Sequence, residues 1–223
     1  MSQSMVRHLI VKDFQMHRTT IVSSIIVGVL GLAILQLKGV AGLLGIIGFF
    51  TTLIVCGSLI SHASILKERK GHNLAFLMSL PISVVEYTTA KILGALAMFM
   101  IPWLVLLGTG LSLVLGRRDI PHGIIPVMLI LVTAPLVGFC LMIAIGLVGE
   151  SEGSVIAGTI AVNVGYSFCW VLIVSNAELR DGLSSPTPIW NPTVLAVLGS
   201  EFAAIAVILA ITFYLQSRKK DFV

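Results

Sequence analysis

Hydrophobic residues fill six long stretches of this chain, and short polar segments separate them. The stretches cover residues 19–37, 40–66, 90–115, 120–148, 154–175 and 193–216, with boundaries good to a few residues. A helix of about 20 apolar residues matches the hydrocarbon thickness of a bilayer. The pattern therefore predicts an all-α, polytopic membrane protein whose residues 1–223 form one transmembrane domain with six transmembrane helices. Pro102 predicts a kink in the third helix, and Pro126 and Pro135 predict a tilted or broken fourth helix.

Residues 1–18 have a different pattern, in which apolar and polar positions occupy opposite helical faces. Val6, Leu9, Ile10 and Phe14 form one face, and Arg7, His8, Lys12 and Gln15 form the other. This is typical of an amphipathic elbow helix that lies at the membrane surface before the first span. A cleavable signal peptide is the competing interpretation. The long polar lead and the long apolar run after Arg18 argue against it.

Residues 67–91 form the most polar and basic segment, between the second and third apolar stretches. Charged residues 67–70 mark the end of one span, and Gly71 permits a turn. The apolar residues that follow predict a short amphipathic helix ended by Pro81. Ser83 and Glu86 have the spacing of a capping box, which predicts a new helix that enters the bilayer near Lys91. A solvated connector whose charges only fix topology is the alternative.

Composition and charge agree with a membrane protein and give it an orientation. Hydrophobic residues make up 57% of the chain and charged residues 11%, with a net charge of +4. Basic residues next to membrane spans account for this positive charge, so it does not indicate nucleic-acid binding. A cytoplasmic N-terminus leaves four of the 14 Lys and Arg residues outside: Lys38, Arg117, Arg118 and Arg180. The positive-inside rule therefore predicts that both termini and residues 67–91 are cytoplasmic.

Few residues within the apolar stretches carry candidate chemistry. Glu201 lies inside the last predicted span, where a carboxyl is costly and usually faces a cavity or a partner, although it could also reach the interface. The three cysteines have no metal-ligand spacing and are interpreted as buried apolar residues. His62 is interpreted as an interfacial or packed histidine and not as a ligand, and Asn163 as a partner in an interhelical hydrogen bond. No phosphate-binding loop or catalytic triad pattern is present, so we predict no enzyme and no cofactor or metal bound by this chain.

Several of these segments together resemble the permease subunits of ABC-2 type ATP-binding-cassette exporters. The resemblance rests on the N-terminal sequence LIVKDFQMHR, the charged Glu68-Arg69-Lys70, the sequence LMSLPIS, the pair Glu86-Tyr87, and Ala90-Lys91 at the start of the third span. It covers about the whole chain in length and topology, while most of its sequence-specific part lies in residues 67–91.

The resemblance implies a half-size permease in the cell membrane that forms half of an export pathway. In that family a coupling helix between the second and third spans docks into the ATPase, which here implies roles for Glu68, Arg69, Lys70, His72 and Phe76. The expected partners are an ABC ATPase subunit that binds ATP and Mg²⁺, a second permease copy or paralogue, and membrane lipids. Residues 176–191 match the extracellular insertion of the family.

Two other classes of function remain open at this point. A small secondary transporter or channel would show paired intramembrane charges or an inverted repeat, and neither pattern is evident. A docking or assembly subunit that transports nothing would share every feature except a pathway. If the chain is an exporter subunit, the low density of intramembrane charge favours an amphipathic or hydrophobic cargo.

Overall fold

A computed structural model describes residues 2–37, 39–70, 84–117, 119–149 and 151–218. Within these ranges the chain is helical, apart from short connections. The helices are α1 (Ser2–Leu35), α2 (Val40–Lys70), α3 (Val84–Gly116), α4 (Ile124–Gly149), α5 (Glu152–Ser175), α6 (Ala177–Gly182) and α7 (Pro192–Ser217).

Six of these helices are long and apolar enough to cross a membrane, which confirms the predicted fold class. The spanning parts are Phe14–Leu35, Val40–Ser64, Thr88–Gly116, Ile124–Gly149, Gly153–Ser175 and Pro192–Ser217. They agree with the six predicted stretches to within about five residues. The length and composition of each apolar run explain this agreement. In a bilayer, such a run has to satisfy its backbone polar groups with its own helical hydrogen bonds.

Helix α1 continues without interruption from Ser2 to Leu35, through the predicted boundary between the elbow and the first span. Residues 2–27 contain neither glycine nor proline, so the sequence supplies no helix breaker there. At a rise of 1.5 Å per residue, α1 is about 50 Å long and exceeds the ~30 Å hydrocarbon thickness. The location of residues 1–18 at the membrane surface stays a prediction.

Helices α1 and α2 form a hairpin in which the two backbones touch. Gly39 has φ of +72° in the short turn between them, a conformation that favours glycine. A Cβ on Gly45 would lie 2.7 Å from the carbonyl oxygen of Gly31 and would also meet the backbone of Leu35. A Cβ on Gly48 would meet nothing within 4 Å. The glycine-rich second span therefore serves close packing at particular positions, as is common between membrane helices.

The core lies between α2, α3 and α4. Phe99 of α3 stacks on Phe139 of α4 with ring centroids 4.3 Å apart, and both side chains are fully buried. About 61% of the α4 span is buried, against 17% for α5 and 11% for α7. Helix α4 is therefore central. The outer faces of α5 and α7 expose apolar side chains that need lipid or protein around them.

The prolines within α3 and α4 do not break either helix. Pro102 lies inside α3 and Pro135 inside α4, and both helices are continuous across them. Pro126 occupies the first turn of α4, where its missing amide donor is not needed. The alternative of a broken fourth helix is therefore wrong, because neighbouring helices can satisfy the backbone groups that a membrane proline frees.

Three connections meet at one end of the bundle, which we call the α6 end: residues 36–39, 117–123 and 176–191. Arg117 pairs with Asp119 and also donates to the side-chain oxygen of Gln36 at 3.2 Å. The hydrogen bond to Asp119 and the negative charge of that residue raise the pKa of the Arg117 guanidinium. The amide of Gly123 donates to the carbonyl of Ser185 at 3.0 Å. The predicted insertion thus contains a short helix, α6, held against the loop between α3 and α4.

Candidate functional site

A partly enclosed cavity of about 260 Å³ lies between α2, α4, α5 and α7. Its lining is almost entirely apolar and contains several small residues, which leave the space unfilled. The lining residues are Leu53, Ile54, Gly57, Ala134, Pro135, Val137, Gly138, Leu141, Met142, Ala161, Val162, Gly165, Tyr166, Cys169 and Glu201. A cavity at the junction of four membrane helices, with one acidic side chain, is a candidate site for a small molecule.

Glu201 supplies the only charged group in this lining, from α7. The residue is 9% exposed, and its Oε2 atom is buried with no hydrogen-bond partner in the part of the chain that the structure describes. It lies nine residues after Pro192, which places it about 13 Å along α7 at 1.5 Å per residue. A buried carboxyl oxygen without a donor costs about 1–3 kcal/mol or more if charged. The sequence left a cavity, a partner and the interface open for Glu201, and in the structure this residue lines the cavity. A role in a transport pathway stays a prediction.

Pro135 shapes the opposite wall and changes the hydrogen bonding of α4. Proline has no amide donor, so the carbonyl of Leu131, four residues earlier, loses its helical partner. The hydroxyl of Tyr166 on α5 faces that carbonyl at 3.5 Å, a long and weak hydrogen bond. The carbonyl of Val132 accepts from the indole nitrogen of Trp103 on α3 at 2.7 Å. Side chains from two neighbouring helices thus donate to α4 just before its proline.

Aromatic and thiol groups of α5 line the side of the cavity next to Glu201. Tyr166 and Cys169 both belong to the lining, and they lie one turn apart on α5. The ring of Phe50, from α2, lies 6.0 Å from Tyr166 and 6.5 Å from Trp170 between centroids. Cys169 is partly exposed, whereas Cys56 and Cys140 are fully buried. The described residues contain no group of three or more His, Cys, Asp or Glu that could hold a metal ion.

Polar contacts also connect α2 with α5 on the side of the cavity away from α6. His62 Nε2 lies 3.3 Å from the hydroxyl of Thr159, so one of the two donates to the other. Thr159 and Ser58 each place a hydroxyl 3.7 Å from the sulfur of Met142, which lines the cavity. His62 is half-buried and contacts α5, in agreement with its interpretation as an interfacial or packed histidine.

The residues proposed for ATPase coupling fall at the edge of the described structure. Residues 68–70 form the last turn of α2, and nothing is described of their side chains. His72 and Phe76 lie outside the described residues, as does Ser83 of the predicted capping box. Lys91, which closes the basic segment, is only 5% exposed. The last residue of the segment 67–91 is therefore buried within the bundle and does not contact water freely.

The sequence interpretation of Asn163 requires correction. Asn163 donates to the carbonyl of Thr159 in its own helix at 2.8 Å, so the predicted interhelical hydrogen bond is wrong. Sequence reasoning missed Tyr166 and Cys169, because only the packing of both α5 and α7 against α4 brings them to the same cavity as Glu201.

Known proteins supply no further identification of this site. Comparisons of the chain with protein families, with curated proteins and with solved structures found no match. The chain is a multi-pass, six-span helical protein, and the resemblance to ABC-2 permeases rests on its sequence segments alone.

Proposed function

We propose that this chain is the permease subunit of an ATP-binding-cassette exporter in the cell membrane. The observation that carries the proposal is the charged last turn of α2. Helix α2 ends with Lys67, Glu68, Arg69 and Lys70, and α3 begins at Val84. Because charged side chains are costly in hydrocarbon, this end of α2 has to lie at or beyond the membrane surface, where a soluble ATPase would reach it.

Positive charge supports a cytoplasmic location for this segment and for both chain termini. Six consecutive spans return the chain to the side on which it began, so residues 1–18, the connection after α2 and the end of α7 share one side. Ten of the 14 Lys and Arg residues are on that side, and four are at the α6 end. The α6 end is then extracellular.

Transport would follow from a rigid-body motion that the ATPase imposes on α2 and α3. Both helices pack against α4, so a displacement at residues 67–91 would reach the walls of the cavity. A second copy or a paralogue would provide the other half of the pathway. The apolar outer faces of α5 and α7 offer surface for such a partner or for lipid.

Reconstitution with an ABC ATPase from the same genome would test this function. We expect the chain to bind the ATPase and to change its rate of ATP hydrolysis in liposomes. Glu68→Arg and Phe76→Ala should each reduce binding at least about tenfold, because docking depends on a charge and an aromatic residue. Asp181→Arg and Phe202→Ala, matched changes at exposed positions elsewhere, should leave it unchanged.

Two results would contradict the proposal. One is that no such ATPase binds the folded chain. The other is that the coupling variants behave like the two control variants.

A further inference from the structure

We propose that the cavity between α2, α4, α5 and α7 binds a small apolar molecule with one cationic amine, and that the amine pairs with Glu201. The site belongs to a single copy of the chain, since four of its own helices provide the lining. Binding by this site does not depend on an ATPase. Only the further step, that such an amine is transported cargo, rests on the function proposed above.

The volume of the cavity limits the size of its occupant. A cavity of about 150 Å³ accommodates benzene, whereas drug-sized ligands occupy about 300–1,000 Å³. The volume here, about 260 Å³, lies between these values. A single aromatic ring with a short side chain fits this space, and a full lipid does not.

The lining determines the chemistry of the occupant. Its apolar residues, such as Leu53, Val162 and Leu141, favour a hydrocarbon body. Glu201 Oε2 lacks a hydrogen-bond donor among the described residues, and its residue is nine-tenths buried. A carboxylate inside a membrane protein is usually paired, and a ligand ammonium would supply both the charge and the donors that are absent.

Neighbouring groups do not supply that partner. The hydroxyl of Tyr166 is directed to the carbonyl of Leu131, and Cys169 offers only a weak donor. The lining contains no Lys, Arg or His. The complementary charge therefore has to come from outside the cavity. The ring of Tyr166 also gives the amine an aromatic neighbour suited to a cation.

Cys169 provides a reporter for occupancy, because it lines the cavity and is more exposed than the other two cysteines. The full chain would be placed in phosphatidylcholine nanodiscs and treated with N-ethylmaleimide, with alkylation followed by intact mass. A Cys169→Ser variant shows which part of the mass increase comes from alkylation of Cys169. Phenethylamine and ethylbenzene form a matched pair of probes, since they differ only in the amine. Binding of tritiated phenethylamine gives an independent measurement.

We expect phenethylamine to slow alkylation of Cys169 at concentrations at least about tenfold below those needed for ethylbenzene. Glu201→Gln, which keeps the shape of the side chain, should remove this difference. Glu201→Asp should retain part of it. Ser200→Ala should behave like wild type, because Ser200 is exposed and bonds to Val197 in its own helix.

Three outcomes would overturn the proposal. Equal protection by both probes would show an apolar cavity without amine recognition. Protection that persists in Glu201→Gln would place the amine elsewhere. Absence of both protection and radioligand binding would show that the cavity takes no such ligand. None of these outcomes bears on ATPase coupling, which is tested at residues 68 and 76 with a different readout.

Discussion

The indole nitrogen of Trp103 donates a hydrogen bond of 2.7 Å to the main-chain carbonyl of Val132, joining α3 to α4. Both residues are buried, at 8% and 1% exposure. The accepting carbonyl lies three residues before Pro135, in the part of α4 where helical hydrogen bonding is disturbed. The bond therefore holds the two central helices together where α4 is least able to satisfy its own backbone.

Trp103→Phe should destabilise the protein by about 1–3 kcal/mol, because the change removes a buried hydrogen bond between α3 and α4 and leaves a cavity where the larger ring was packed. The measurement is the midpoint of thermal unfolding of the purified chain in detergent. Trp190→Phe is the matched control, since Trp190 is about half exposed. Its effect should stay within about 0.5 kcal/mol. Equal effects of the two changes would contradict the assigned role of Trp103.

Tyr166 and Pro135 should be energetically coupled through the carbonyl of Leu131. Pro135→Ala restores an amide donor to that carbonyl, so the hydroxyl of Tyr166 is no longer needed there. Tyr166→Phe should then cost about 0.5–1 kcal/mol in wild type and less in the Pro135→Ala background. A double-mutant cycle measured by unfolding checks this expectation. Purely additive effects would show that the 3.5 Å contact contributes nothing.

Gly45→Ala should separate α1 from α2 and destabilise the hairpin by about 1–3 kcal/mol, as expected for overpacking. The new methyl group would meet the backbone of Leu35 and the carbonyl of Gly31. Gly48→Ala provides a control on the same helix, because a Cβ there meets nothing within 4 Å. It should be neutral or slightly stabilising, given the higher helix propensity of alanine. The thermal midpoints of both variants should be compared side by side.

Ser151→Ala should weaken the start of α5. Ser151 accepts a hydrogen bond from the amide of Ser154 at 3.0 Å, and the Ser154 hydroxyl faces the amide of Ser151 at 3.4 Å. Loss of such a cap costs about 0.5–2 kcal/mol. Amide hydrogen exchange in residues 153–156 should accelerate, while exchange in α7 stays unchanged. Acceleration of equal size throughout the chain would indicate global destabilisation instead.

Glu201→Met should make the ligand-free protein more stable, by about 1–3 kcal/mol, because it removes a buried and unpartnered carboxyl oxygen from an apolar cavity. Methionine has a similar length and fills the space without a polar group. The readout is again the thermal midpoint, measured without added amine. A less stable variant would mean that Glu201 has a stabilising partner in the folded protein.

The six spans could be predicted from sequence because the length of an apolar run fixes whether it can cross a bilayer. Glu201 could be singled out for a related reason, since a carboxyl stands apart from the apolar residues around it. Tyr166 and Pro135 could not be assigned to the cavity. The positions of apolar runs along the sequence do not determine which helices pack side by side. The cap at Ser151 was missed because its partner is a serine and not the glutamate of the usual capping box.

The backbone contact between Gly31 and Gly45 has a mechanical consequence. Most helix pairs touch through side chains, whose rotamer changes allow one helix to slide over the other. At this crossing the atoms nearest to each glycine belong to the backbone of the other helix. No rotamer change can therefore create room for the two helices to shift. Near this crossing, α1 and α2 should therefore move together and not slide over one another.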